Sequence, residues 1–152
     1  MYSRQQASQL RKEFWTAFGQ YMAPVVSSEG ERINWINYKT GVKDVYIKLG
    51  ANHKMISVSL QFAQKDPEMQ QLFFDHLRSL ETVLAENIKN EWVWRLHTYD
   101  ENGKLISGIF SEKEHLSILK KEDWPEIISF FKPRIMGLDR FWNNVKYAFQ
   151  PL

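Results

Sequence analysis

Apolar residues at the start of the chain recur every three or four positions. Leu10, Phe14, Trp15, Phe18 and Met22 share one face of a helix expected over residues 3–23, with Ser3 as its cap and Pro24 as its stop. Beyond the polar loop "VVSSEGER" the period falls to two, and three short strands are expected at 33–38, 44–49 and 54–63. In the second, Val45, Ile47 and Leu49 alternate with Asp44, Tyr46 and Lys48; in the third, Ile56, Val58, Leu60 and Phe62 alternate with Ser57, Ser59 and Gln61. Such alternation gives each strand one apolar and one polar face, as in an antiparallel sheet. The connections "KTGVK" and "GANHK" are short enough for hairpins.

A second helical pattern covers 66–88. Asp66 caps it, Pro67 takes the first position, and Met69, Leu72, Phe73, His76, Leu77, Leu80 and Leu84 form its apolar stripe. Two further strands, 92–99 and 104–110, turn at Asn102-Gly103. A last helix starts at Asp123 with Pro125 in its first turn and runs to about 149, with Pro133 and Gly137 predicting a kink or break near Lys132. The expected fold is a single α+β domain over 1–152 in the order α-β-β-β-α-β-β-α. Its mostly antiparallel sheet of about five strands has the helices packed on the apolar face.

Composition narrows the classes of function. The 152 residues are 43% hydrophobic and 14% aromatic, which excludes intrinsic disorder and suffices for a core without staples. Cysteine is absent, so disulfides, thiolate catalysis and cysteine-held zinc are excluded. The polar start "MYSRQQASQLRKEFW" lacks the apolar core of a secretory signal, and no window approaches the ~20 apolar residues of a membrane span. A cytoplasmic protein without a membrane partner is expected. The net charge of +2 is uneven: residues 1–65 hold nine Lys/Arg against four Asp/Glu, and residues 66–152 hold eleven against fourteen. That asymmetry points to a basic face, or else to a scattered charged surface.

The helix–three strands–helix–strand order also matches the common core of PD-(D/E)XK nucleases. Their chemistry needs an acid near the start of the second strand, then an acid and a lysine two residues apart on the third, to hold Mg²⁺ and polarise water. Asp44 suits the first position, but the third strand offers Ser59 and Gln61. Only Glu13 on the first helix and Glu81 on the second could replace the missing ligand. The four histidines, His53, His76, His97 and His115, stand far apart, with no pair at ligand spacing. No GxSxG, P-loop or glycine-rich dinucleotide loop occurs.

The remaining candidate is the basic hairpin region 39–54. Lys39, Lys43, Lys48 and Lys54 surround Tyr38 and Tyr46, and a sheet with lysines beside exposed aromatics can hold phosphates while stacking bases. Lysines on exposed strands also guard a sheet edge and need no ligand for that. Trp35, Trp92 and Trp94 are expected in the core or at a subunit interface.

The succession "RKEFWTAFGQYM", "INWINYKTGVKDVYIKL", "FDHLRSLETVLAENI" with "WVWRL", and "DWPEIISFFKPRIMGLDRFW" resembles the bacterial family called domain of unknown function 4268. The points of likeness are Phe14-Trp15, the turn from Trp35 to Thr40-Gly41, the pair Leu80-Glu81, and Asp123-Trp124-Pro125. Together they span nearly the whole chain. The resemblance implies an association with nuclease-like or restriction-associated regions, hence with nucleic acid, and supplies no catalytic residues. The expected function is a non-enzymatic binding or accessory module, without a cofactor, that contacts nucleic acid through the basic hairpin. The alternatives are a degenerate Mg²⁺-dependent nuclease using Asp44 with Glu13 or Glu81, and a purely structural homodimer.

Overall fold

The computed structural model describes residues 2–89 and 91–152. Helix α1, Arg4–Met22, opens with a capping box in which the Ser3 hydroxyl accepts from the Gln6 N–H and the Gln6 side chain accepts from the Ser3 N–H. Strands β1, Val45–Ala51, and β2, Met55–Phe62, form the expected hairpin. After helices α2, Pro67–Ser79, and α3, Glu81–Asn87, the chain returns as β3, Val93–Tyr99, and β4, Leu105–Glu114. A short 3₁₀ turn, Lys121–Asp123, leads into α4, Trp124–Phe149. The sheet is antiparallel with four strands in the order β1-β2-β4-β3.

The expected α+β class is thus found, with four strands where about five were expected. The missing strand is 33–38. Its alternating Ile33 and Trp35 point inward from a loop, where the Asn34 Oδ1 accepts the N–H groups of Ile36 and Asn37 and closes a turn. Buried Trp35 donates its Nε1–H to the Val25 carbonyl at 2.9 Å. A local asparagine turn competes with extension here and wins. With that strand gone, the nuclease-like order of three strands between the first two helices is not formed.

The expected helix over 66–88 is two helices. Leu80, at φ −100° and ψ 14°, leaves helical geometry, and Leu84 of α3 and Ile88 just after it enter the core, with α3 against α4. Conversely, α4 passes through Pro133 unbroken. Pro133 lies on the exposed side, so the carbonyl it leaves without an N–H can be hydrated. Gly137 serves packing: a Cβ there would stand 2.6 Å from the Asn87 carbonyl oxygen at the end of α3.

All the helices that touch the sheet lie on one side of it. There Ile56, Val58, Leu60 and Phe62 of β2 are wholly buried beneath α4, whose Phe131, Ile135, Leu138, Phe141, Trp142 and Phe149 fill the layer between sheet and helices. Phe14 and Phe18 of α1 close against Phe131 with ring centroids 6.2 and 5.6 Å apart. Each such side chain contributes about 1.5–3 kcal/mol on burial.

Among the described residues no helix lies over the other sheet face, and a glycine there admits close backbone packing. Gly108 of β4 has φ +155°, and a Cβ there would come within 2.0 Å of the Leu60 carbonyl oxygen. Gly108→Ala should therefore lower stability by at least about 3 kcal/mol, measured as a lower urea midpoint. An unchanged midpoint would refute the close packing of β4 on β2.

Candidate functional site

The uncovered sheet face carries a trough of about 390 Å³. Its floor is Ser57, Ser59 and Gln61 of β2, with the Gln61 Nε2 donating to the Ser59 Oγ at 2.9 Å. These small polar groups occupy the two positions where the nuclease pattern asks for an acid and a lysine. On one wall, Lys48 projects from β1, and its ammonium lies 4.9 Å from the ring centroid of Tyr46, which stands on the same sheet face beside the trough. Lys104, from the β3–β4 turn, brings a second ammonium to 5.8 Å from the same ring. Opposite them, Arg95 of β3 grips Glu112 of β4 through two hydrogen bonds of 2.9 and 2.6 Å, and its guanidinium lies over the Phe110 ring. That carboxylate raises the Arg95 pKa further. Asp100 in the turn is held below the usual carboxylate range, first by the Lys104 backbone N–H and more weakly by the Lys48 and Lys104 charges.

The curvature of the trough comes partly from a bulge in β3. Between Arg95 and Thr98 the register shifts, and His97 takes φ +53°. Its N–H donates to the Ser107 hydroxyl and its Nε2 lies 2.9 Å from the Pro67 carbonyl at the start of α2. His97 therefore ties β3 to a helix.

The six residues of the basic hairpin region disperse. Tyr46 and Lys48 share the uncovered sheet face, where Lys48 lines the trough and Tyr46 stands beside it. Lys54 stands in the β1–β2 turn, where the Asn52 Oδ1 accepts its N–H. Lys43 sits on the rim of a hollow between the loop before β1 and the ends of α2 and α4. Lys39 and Tyr38 line a third hollow, of about 370 Å³, centred on Asp139. The lysines thus form no single patch.

The carboxylates of the nuclease alternative are equally scattered. Glu13 pairs with Lys121 at 3.4 Å, Glu81 faces Arg78 at 3.9 Å, and Asp44 lies in the turn before β1, where its carbonyl accepts the Ala63 N–H. Among the described residues no three acidic or histidine side chains stand close enough to hold one metal ion.

Asp139 was not foreseen. It is 2% exposed, and its carboxylate accepts the Ser28 N–H at 2.7 Å, the Tyr38 hydroxyl at 2.6 Å and the Asn143 amide at 3.1 Å. It fastens the 24–44 loop to α4. The signal was a lone carboxylate in the apolar stripe Ile135, Leu138, Trp142 of "RIMGLDRFW".

A model of the family described as a domain of unknown function (DUF4268) matches residues 10–146, that is 137 of the 152 residues. The chain belongs to that family. No curated protein and no solved structure matches it. The DUF4268 match runs from the second turn of α1 to the last turn of α4, so it takes in the sheet, the trough and Asp139. No helix among the described residues is long and apolar enough to cross a membrane.

The Tyr38 phenol titrates above its ordinary value, chiefly because it is buried and then because it donates to Asp139. A raised folded pKa means its stabilising contribution is complete below the unfolded value of about 10 and is lost as pH rises towards the folded one. Tyr38→Phe should cost about 1–2 kcal/mol near neutral pH, and the gap to the parent should narrow above pH ~10. Chemical denaturation at both pH values checks this. A constant gap would place the phenol outside the Asp139 bond.

Proposed function

We propose that the protein is a binding module and that its uncovered sheet face takes single-stranded nucleic acid. The observation that carries this reading is the Tyr46 ring with the Lys48 and Lys104 ammoniums 4.9 and 5.8 Å from its centroid, neither of which holds an ion pair among the described residues. A base stacks on the exposed phenol ring while the ammoniums meet the flanking phosphates. Tyr99, 69% exposed at the end of β3, offers a second ring. The restriction-associated company implied by the family resemblance agrees with such a ligand.

The charge of the trough limits the affinity. Arg95 is neutralised by Glu112, and Asp100 feels the charges of both Lys48 and Lys104. Binding should be modest and steeply salt-dependent, with a logarithmic slope near −0.7 per phosphate neutralised. Duplexes, whose bases are not free to stack, should bind more weakly.

In a fluorescence-anisotropy titration with short single-stranded DNA and RNA at low salt, Tyr46→Ala should weaken binding roughly tenfold. Lys48→Glu should do at least as much, and Asp100→Asn should tighten it. No binding by the parent, or binding indifferent to all three substitutions, would remove the proposal. A second copy seated on the same face would instead appear as a dimer by light scattering that Tyr46→Ala dissolves.

A further inference from the structure

Along β1, Tyr46, Lys48 and Gly50 stand on the uncovered sheet face, and directly across from them on β2 are Gln61, Ser59 and Ser57 in turn. Neighbours on one face of a strand are about 7 Å apart. A nucleic-acid strand with one base on the Tyr46 ring and the adjoining phosphate at Lys48 therefore carries its next sugar over Gly50 and Ser57. The chemistry changes at that step. Ser57 has Gly50 opposite it on one side and Glu112 of β4 opposite it on the other.

Gly50 keeps the Ser57 hydroxyl uncovered, because a Cβ at residue 50 would stand 2.6 Å from the Ser57 Oγ. Glu112 supplies an acceptor. Its two oxygens take hydrogen bonds of 2.9 and 2.6 Å from Arg95, and each keeps a lone pair for a further donor. Both residues line the trough within reach of a ligand: Ser57 is half-buried and the Glu112 side chain is 25% exposed. Since Arg95 and Glu112 neutralise each other, the pair gives a phosphate no net attraction here. A ribose 2′-hydroxyl suits the position, donating to the carboxylate and accepting from Ser57. A deoxyribose would strip water from the same two groups and return no hydrogen bond.

We infer, building on the sheet-face reading, that the single strand taken there is RNA, selected over DNA by a 2′-hydroxyl held between Ser57 and Glu112. The carboxylate that limits phosphate binding is thus what a ribose needs.

Fluorescence anisotropy at one low salt concentration tests the assignment, using labelled oligocytidylates of about eight nucleotides in ribo, deoxy, 2′-fluoro and 2′-O-methyl form. The ribo strand should bind roughly tenfold more tightly than the deoxy strand. The 2′-fluoro strand keeps the sugar pucker of RNA but has no hydroxyl to donate, and the 2′-O-methyl strand has lost the same proton, so both should fall with DNA. Ser57→Ala should bring RNA down towards the DNA level. Glu112→Gln, which removes the charge and loosens Arg95, should raise DNA affinity and narrow the ratio from the other side. Equal binding of ribo and deoxy strands, a 2′-fluoro strand as tight as RNA, or a ratio that both substitutions leave untouched would overturn the choice of RNA while the sheet-face site stands. No binding of any strand would remove the sheet-face reading and the RNA assignment together.

Discussion

Ile56, Val58, Leu60 and Phe62 leave β2 on one side, and each is entirely removed from water beneath the helices. Because side chains alternate along a strand, burying those four commits Ser57, Ser59 and Gln61 to the opposite side. A slip of one residue would exchange the two sets and lose most of the core, so this burial fixes the register of β2 against both its neighbours. With β2 in register, Tyr46 and Lys48 of β1 and Arg95 of β3 must share a face with Ser57 and Ser59. The trough is thus the obligatory back of the hydrophobic core. A small apolar cluster of Ala63, Ile106 and Phe110 shields part of that back, leaving the rest to polar groups.

The second constraint is a buried carboxyl group. The loop between α1 and β1 has little regular structure, yet it supplies Trp35 to the core. Such a segment needs long-range anchors. Asp139 provides them at Ser28 and Tyr38, and the Trp142 Nε1 adds one at the Thr40 carbonyl, 2.7 Å away. A buried carboxylate is tolerated because its oxygens accept three hydrogen bonds, including one from a backbone N–H. Removing the partners would leave its oxygens unpaired in the interior, a larger loss than the net contribution of any one of these bonds.

How much was legible in the sequence follows from which forces act locally. Caps at Ser3 and Asp66, and the alternation in β1 and β2, are written in neighbouring residues and were read correctly. The apparent strand at 33–38 has the right alternation for a different reason: Trp35 enters the core from a turn that Asn34 closes, and a pattern of period two does not distinguish the cases. The break at Leu80 and the continuity through Pro133 are both decided by tertiary packing on α4, where Gly137 admits the end of α3. At the candidate site, proximity along the chain grouped Lys39, Lys43, Lys48 and Lys54, whereas the register of the sheet keeps only Lys48 with Tyr46. Lys104 and Arg95 join them from a hairpin distant in sequence, a meeting that no local signal announces.

The same geometry bears on how the trough would take a ligand. The Lys48 and Lys104 ammoniums already rest near the Tyr46 ring, an arrangement worth about 0.5–1 kcal/mol each at an exposed site. A base that stacks on the ring must displace at least part of that contact. Stacking is worth about 1–3 kcal/mol, and the displaced ammonium then meets a phosphate instead of a ring face. The exchange is therefore favourable only when base and phosphate arrive together. Free nucleobases would have to compete with the lysines unaided, and phosphate alone would have to draw them from Tyr46 and Asp100. On the proposed reading, this competition selects a connected strand over its separate parts, with the unliganded trough held in order by its own cation–ring contacts.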